Sequence, residues 1–389
     1  MNRFRRITTS NKFIPEIDGL RFIAIFAVII SHVYKFYYKE NMADFQLKPG
    51  ENDFIHGVLS TTGRGVELFF IISGFILAIP FIRQYAQKTT SVNLISYFSR
   101  RLTRLEPPYL IIMTLFFLMR VVLNTDPFSE LSWAYLASIF YLHNAIFNEF
   151  SIINSVAWSL EIEIQFYILV PVLTLVFSLA KSSRRILIAF TIIALCFTTQ
   201  YFEISRLWIG GNLHYFLIGF ILADLYVFKD QIKFKLSKSF LFISGIILLL
   251  IVFAVPVRFH STSQYPDLSY FLKGVFILCF CISSFILYYL VIFNRLFDRF
   301  FTNVYITSIG GMCYSIYLIH AQVIYFFGTK LHVINLVFTN IFPLDVLIQI
   351  VLFGSIAIVI SGIFFLLIEK PCMNPNWIKK IPGSFRLIK

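Results

Sequence analysis

Hydrophobic residues fall in long blocks separated by short polar gaps, running from Ile17 to Ile368. Most blocks approach the ~20 residues an α-helix needs to cross about 30 Å of hydrocarbon, so the repeating element is a membrane-spanning helix. Candidate spans cover about 17–38, 65–82, 105–123, 156–180, 186–202, 208–228, 239–257, 268–293, 303–327 and 343–368. The pattern predicts an all-α polytopic membrane protein with about ten transmembrane helices. A further apolar stretch, 131–148, is broken by His143 and Asn144. Counting it as a span would put Lys181, Arg184, Arg185 and the Lys229–Lys238 cluster outside, against the positive-inside rule. It reads instead as a re-entrant or surface helix on the outer side, tolerated at membrane depth only when packed against protein.

With the N and C termini cytoplasmic, 23 of the 33 lysines and arginines lie on the inner side. The polar gaps are too short to fold separately. Residues 1–389 therefore read as a single membrane-embedded domain with short basic cytoplasmic tails, 1–16 and 369–389, and no fused soluble domain. Arg3, Arg5, Arg6 and Lys12 precede the first span, and no small-residue cleavage site follows it, which marks a retained anchor helix.

Composition agrees with this pattern. The chain is 58% hydrophobic and 14% charged, with mean hydropathy +0.79, which excludes an ordinary soluble domain. The net charge of +13 clusters in loops and lacks a basic aromatic stripe, so it reports orientation and not nucleic-acid binding. Of five cysteines, Cys196, Cys279, Cys281 and Cys313 sit in apolar segments and Cys372 near a basic terminus. That spacing indicates neither a disulfide framework nor a metal site.

Candidate chemistry begins in the first span, where Arg21 and His32 are eleven positions apart. Eleven residues make about three turns, so both side chains share a face roughly 16 Å apart along the axis. Two ionisable groups on one face of a membrane helix point to a lined cavity, since lipid contact costs roughly 2.5–3.5 kcal/mol each. A neutral imidazole there can take a proton from an alcohol during acyl transfer, or it can cap an interfacial polar network. Arg100, Arg101 and Arg104 open the third span from the cytoplasmic side. Arg101 and Arg104 share a face, as a site for the phosphates of a coenzyme A thioester requires, although anchoring to anionic lipid reads equally well.

Other polar groups converge from the outer side. Glu163 lies roughly 10 Å inside the fourth span, at a depth comparable to His32, where it could orient an imidazole. His320 in the ninth span, with Asn212 and His214 in the sixth, approaches from the same side. Glu67 lies near the outer end of the second span at an ambiguous depth, and Ser73 and Gly74 beyond it suit close helix packing. Trp158 fits an interfacial aromatic belt or a substrate platform. The expected site is an outward-opening cavity of His32, Glu163 and His320, joined along the Arg21 face to a cytoplasmic arginine mouth.

In order along the chain, Ile17-Asp18-Gly19-Leu20-Arg21 with His32, Leu68–Phe75, the Arg101/Arg104 pair, Trp158–Tyr167, Tyr317–His320 and Ile368-Glu369-Lys370-Pro371 resemble the integral-membrane acyltransferase 3 family. The resemblance implies transfer of an acyl group, commonly acetyl, from cytosolic acetyl-coenzyme A to a hydroxyl of a cell-surface polysaccharide or its lipid-linked precursor. It implies a multi-pass enzyme of the bacterial cytoplasmic (inner) membrane, with the lipid bilayer and a carbohydrate acceptor as partners. The family's essential Arg and His map onto Arg21 and His32, and its Arg-x-x-Arg pair onto Arg101 and Arg104. Glu67 stands where an Asp is expected. Some relatives append an extracytoplasmic hydrolase-like domain; without one the chain is expected to act alone. The resulting assignment is catalytic roles for His32, Arg21 and Glu163, donor binding by Arg100, Arg101 and Arg104, and acceptor binding by His320, Glu67 and Trp158. A transporter or flippase using the buried Arg, His and Glu as a path is the rival, opposed by the lack of an inverted repeat. A scaffold whose polar residues only pack is the third reading.

Overall fold

The structure, a computed structural model, describes residues 4, 6, 13–39, 53–89, 91–228, 237–254, 266–331, 339 and 341–374. Arg3, Arg5, Lys12, most of the Lys229–Lys238 cluster and the end of the C-terminal tail lie outside them. All regular structure among the described residues is helical.

The principal helices are α1 (Pro15–Lys39), α2 (Gly65–Ala86), α3 (Leu94–Leu123), α4 (Phe128–Ile139), α5 (Trp158–Leu173), α6 (Lys181–Tyr201), α7 (Leu213–Phe228), α8 (Lys238–Ala254), α9 (Pro266–Asn294), α10 (Val304–Gly311), α11 (Cys313–Leu331) and α12 (Phe342–Phe364). Seven described helices or helix runs are long and apolar enough to cross a membrane, or eight where the bent pair α10–α11 is taken as one span. The helices at Leu213–Phe228 and Ser239–Phe253 are apolar but shorter. At 1.5 Å per residue, α7 is about 24 Å long, under the thickness of the hydrocarbon core. The protein is thus a multi-pass, all-helical membrane protein that meets the lipid bilayer.

α1 is the central helix. It packs against α2, α10, α11 and α12, so its side chains meet protein on several sides. α3 is peripheral and leaves Leu110, Ile111, Leu115, Leu118 and Val122 exposed, a surface that lipid covers. This division sends the ionisable face of α1 inward, as the cost of charge in lipid demands.

The ninth expected span, 303–327, is not one straight helix. α10 and α11 meet at a bend of 72°. Gly310 lies in the last turn of α10 where its backbone presses on α1, and a Cβ there would collide with the Asp18 carbonyl. The bend gives α11 its own N-terminus inside the bundle. α12 meanwhile widens to a π-helical turn over Phe365–Glu369, which delivers Glu369 to that N-terminus.

The 131–148 stretch does not cross. α4 is 12 residues, about 18 Å, and folds back along the C-terminal half of α3. Tyr109 donates to the Ser138 carbonyl (2.8 Å), Thr114 bonds Tyr135 (2.8 Å), and the Phe117 and Tyr135 rings stack at 4.6 Å. Asn144, which interrupts the apolar pattern, is buried; its backbone N–H donates to Glu161 and its amide to the Trp158 carbonyl, both at 2.8 Å. The polar break is therefore a joint between this hairpin and the start of α5.

Candidate active site

α1 and α11 bring His32 and His320 together, 288 positions apart in sequence. Their rings are 4.7 Å apart and nearly perpendicular, with His320 Nε2 at 3.3 Å from His32 Nδ1. Hydrogen bonding fixes the tautomers of the neutral rings. His320 Nδ1 lies 3.0 and 2.9 Å from the Ile316 and Tyr317 carbonyls, which only accept, so that nitrogen carries the proton. His32 Nδ1 lies 2.9 Å from the Val28 carbonyl and faces the His320 Nε2 lone pair, so it too is the protonated nitrogen. The lone pair of His32 is left on Nε2. His320 is fully buried while His32 is partly accessible, so the accessible ring holds the free base and the buried ring orients it.

Glu163 is placed elsewhere. Its Oε1 accepts from Ser73 at 2.6 Å and from Tyr167, one turn further along α5, at 2.5 Å. Of the two groups expected in the cavity with His32, the one whose ring meets it is His320. Ser73 accordingly does more than allow close packing. Gly74 keeps that role, because α7 crosses α2 where a Cβ would collide with the Phe216 carbonyl.

Glu163 belongs with the arginine mouth. The Arg101 guanidinium lies 4.1 Å over the Tyr97 ring and 5.8 Å from that of Tyr167, and donates to the Tyr97 carbonyl at 3.0 Å. Tyr97 in turn donates to the Tyr167 carbonyl at 3.3 Å. The three arginines differ in setting: Arg100 is exposed, Arg101 is stacked, and the buried Nε of Arg104 bonds no protein acceptor. Arg104 is within electrostatic reach of the fully buried Glu369, whose Oε2 accepts from the Ser315 amide (3.0 Å) and hydroxyl (2.5 Å) at the first turn of α11. A carboxylate there meets the positive end of the helix.

Arg21 donates to Asp18 Oδ1 at 2.6 Å, and Arg6 Nε is 3.1 Å from the same oxygen. Asp18 is fully buried, so two guanidiniums share one carboxylate and net positive charge remains. Arg21 also lies within electrostatic reach of Glu163 and Glu369. The Arg21 end of α1 thus faces the Arg101–Glu163 and Arg104–Glu369 groups, three turns from His32.

Toward the histidine pair, Tyr317 precedes His320 by three residues on α11, with ring centres 5.8 Å apart. Its hydroxyl bonds Ser159 at 2.6 Å and donates to the Val156 carbonyl at 3.1 Å. Trp158 is buried and not part of an exposed belt; Arg206 lies 5.1 Å over its ring and 5.1 Å over Phe150. Glu67 is within electrostatic reach of Arg206, Arg64 and Lys35. The wall beside the histidines therefore mixes aromatic faces with charges of both signs.

Asp18, Tyr97, Tyr167, Arg206, Tyr317 and Glu369 carry no role in the sequence reading. Two of them follow from spacing: Tyr97 and Arg101 are i and i+4, and Tyr317 and His320 are i and i+3, so each pair shares a helix face. Glu369 had no such signal, because its partners come from another helix.

A family model described as an acyltransferase domain matches residues 14–366. The chain is similar to the O-acetyltransferase OatA of Staphylococcus aureus (strain NCTC 8325 / PS 47), 28% identical over 341 residues, which cover 82% of this chain and 51% of that protein. It is also 29% identical over 355 residues to a protein of Staphylococcus aureus (strain COL) whose name gives O-acetyltransferase as a provisional assignment, covering 84% of this chain and 53% of that one. The chain spans about half the length of the curated relatives it matches. No solved structure matches it.

Proposed function

Since the chain belongs to the acyltransferase family whose model covers residues 14–366, we propose that it is a membrane O-acyltransferase that moves acetyl from cytosolic acetyl-coenzyme A to a sugar hydroxyl. The acceptor is a cell-surface polysaccharide or its lipid-linked precursor, in keeping with the O-acetyltransferase names of its relatives. The observation that carries the reading is the oriented His32, with Nδ1–H bonded to Val28 and facing His320, and its basic Nε2 uncommitted.

In this mechanism His32 Nε2 takes the proton of the acceptor hydroxyl as its oxygen attacks the thioester carbonyl. The new C–O bond forms, the C–S bond breaks, and the proton passes from His32 to the departing coenzyme A thiolate. The imidazolium formed in between keeps its second N–H on Val28 and His320. Arg101 and Arg104 hold donor phosphates, with Arg100 at the exposed rim. Arg21, which uses one N–H on Asp18, keeps four for the donor arm that runs the roughly 16 Å to His32. Glu163 holds Tyr167 and so the aromatic seat of Arg101. Glu67, Trp158 and His320 border the acceptor.

The same reading sets the frame: ten crossings in the bacterial cytoplasmic membrane, both termini inside, one membrane-embedded unit, with α7 and α8 crossing despite their length. The donor then enters at the arginine end and the acceptor at the histidine end. Label from acetyl-coenzyme A should appear in lipid-linked or surface glycans of membranes carrying the wild type, and disappear with His32→Ala and Arg101→Ala at matched protein levels. Transfer that persists without His32 would overturn the mechanism, and uptake of a solute with no acetyl transfer would favour a transporter.

A further inference from the structure

Cys196 of α6, His214 of α7 and Cys281 of α9 meet inside the bundle. All three are buried, and one ligand atom from each lies within 4.8 Å of the others. The Sγ atoms of Cys196 and Cys281 are 3.9 Å apart. That is beyond the ~2.05 Å of a disulfide. It is close to the edge of a zinc tetrahedron, in which two thiolates at about 2.3 Å from the ion stand about 3.8 Å apart.

A second observation points the same way. Both ring nitrogens of His214 are buried and bond no protein group. An imidazole sealed among helices with both nitrogens unmet is costly, and a metal ion takes the lone pair of one of them. The histidine and the two sulfurs converge from three helices, so a packing role alone does not require these residue types at this point.

We propose that Cys196, His214 and Cys281 bind a zinc ion. Binding displaces the two thiol protons, and Zn²⁺ with two thiolates and a neutral imidazole is uncharged, the state a buried site tolerates. A cuprous ion with the same ligands would leave a negative charge. Tyr215 lies within electrostatic reach of both cysteines, and a water would complete four-coordination. The site clips α6, α7 and α9 together. Tyr215 is also within reach of Glu67 and Arg64, so the clip braces the wall behind the acceptor side of the candidate site.

The test uses the full chain, reduced, tag removed and in detergent. Zinc or cobalt is added, excess is removed, and metal per chain is measured by mass spectrometry alongside the thiolate-to-cobalt absorption band. About one ion per chain is expected, with the cobalt band present. Both fall to background in Cys196→Ser and Cys281→Ser and stay in Cys279→Ser, whose cysteine is exposed. A folded wild type that binds neither ion overturns the proposal, whatever the variants do. So does a Cys196–Cys281 disulfide in freshly isolated membranes, or a cobalt band that survives loss of both cysteines. None of these readouts depends on acyl transfer.

Discussion

At the scale of single residues, the site turns on which nitrogen of each histidine holds the proton. Two backbone carbonyls commit His320 Nδ1, and that leaves His320 Nε2 as the acceptor facing His32. In the proposed mechanism His320 is a positioning residue. A hydrogen bond to a charged group contributes about 1.5–3 kcal/mol, so His320→Ala should slow transfer roughly 10- to 150-fold. Loss of His32 itself should cost about 10²–10⁴, the usual contribution of a general base. Initial rates of acetyl transfer at saturating donor check both, and the donor KM should stay constant in each. A KM change without a kcat change in His320→Ala would assign it to binding. Arg101 should behave oppositely. Arg101→Lys loses the fork and the stack on Tyr97, worth about 0.5–2 kcal/mol, and should raise the donor KM roughly 2- to 30-fold.

At the scale of helices, two joints set the geometry. Asp224 on α7 is fully buried and takes Arg184 (2.6 Å) and Arg185 (2.5 Å) from the start of α6. Replacing it with Asn removes the carboxylate that a buried and a half-buried guanidinium share, at about 3–5 kcal/mol. A clear fall in the thermal midpoint of Asp224→Asn in detergent is expected, and an unchanged midpoint would show that the clamp contributes little. The second joint is the crossing of α2 and α7, where Gly74 and Gly219 each meet the other helix's backbone. Gly74→Ala should reduce folded yield on size exclusion. Gly57→Ala, in a short helix over Asp53–Thr61 and with nothing within 4 Å of the added carbon, should be neutral or stabilise that helix by up to about 1 kcal/mol.

At the scale of the whole molecule, the proposed mechanism requires the Arg21 end of α1 to face the cytosol. Under the ten-crossing frame, a cysteine at Ser182 should react with an impermeant thiol reagent only after the membrane is opened, and one at Asp126 should react from outside. The reverse pattern would put the arginine mouth on the wrong side for a cytosolic donor.

The sequence by itself determined the helical class, the approximate helix positions and the presence of Arg21, His32 and the arginine motif, because apolar block length and i, i+3 or i, i+4 spacing are local properties of one helix. It also read 131–148 as non-crossing, from polar residues and the balance of positive charge. Only the tertiary structure decided partners. His320 stands beside His32 and Glu163 beside Ser73 because α1, α2, α5 and α11 pack as they do. The bend between α10 and α11, invisible in a continuous apolar run, lies beside the close approach of Gly310 to α1. The meeting of Cys196, His214 and Cys281 likewise joins three segments far apart in the chain. Hydropathy reports how a residue partitions between water and lipid; which buried polar groups pair is settled by helix crossings, where each unmet donor or acceptor carries a cost.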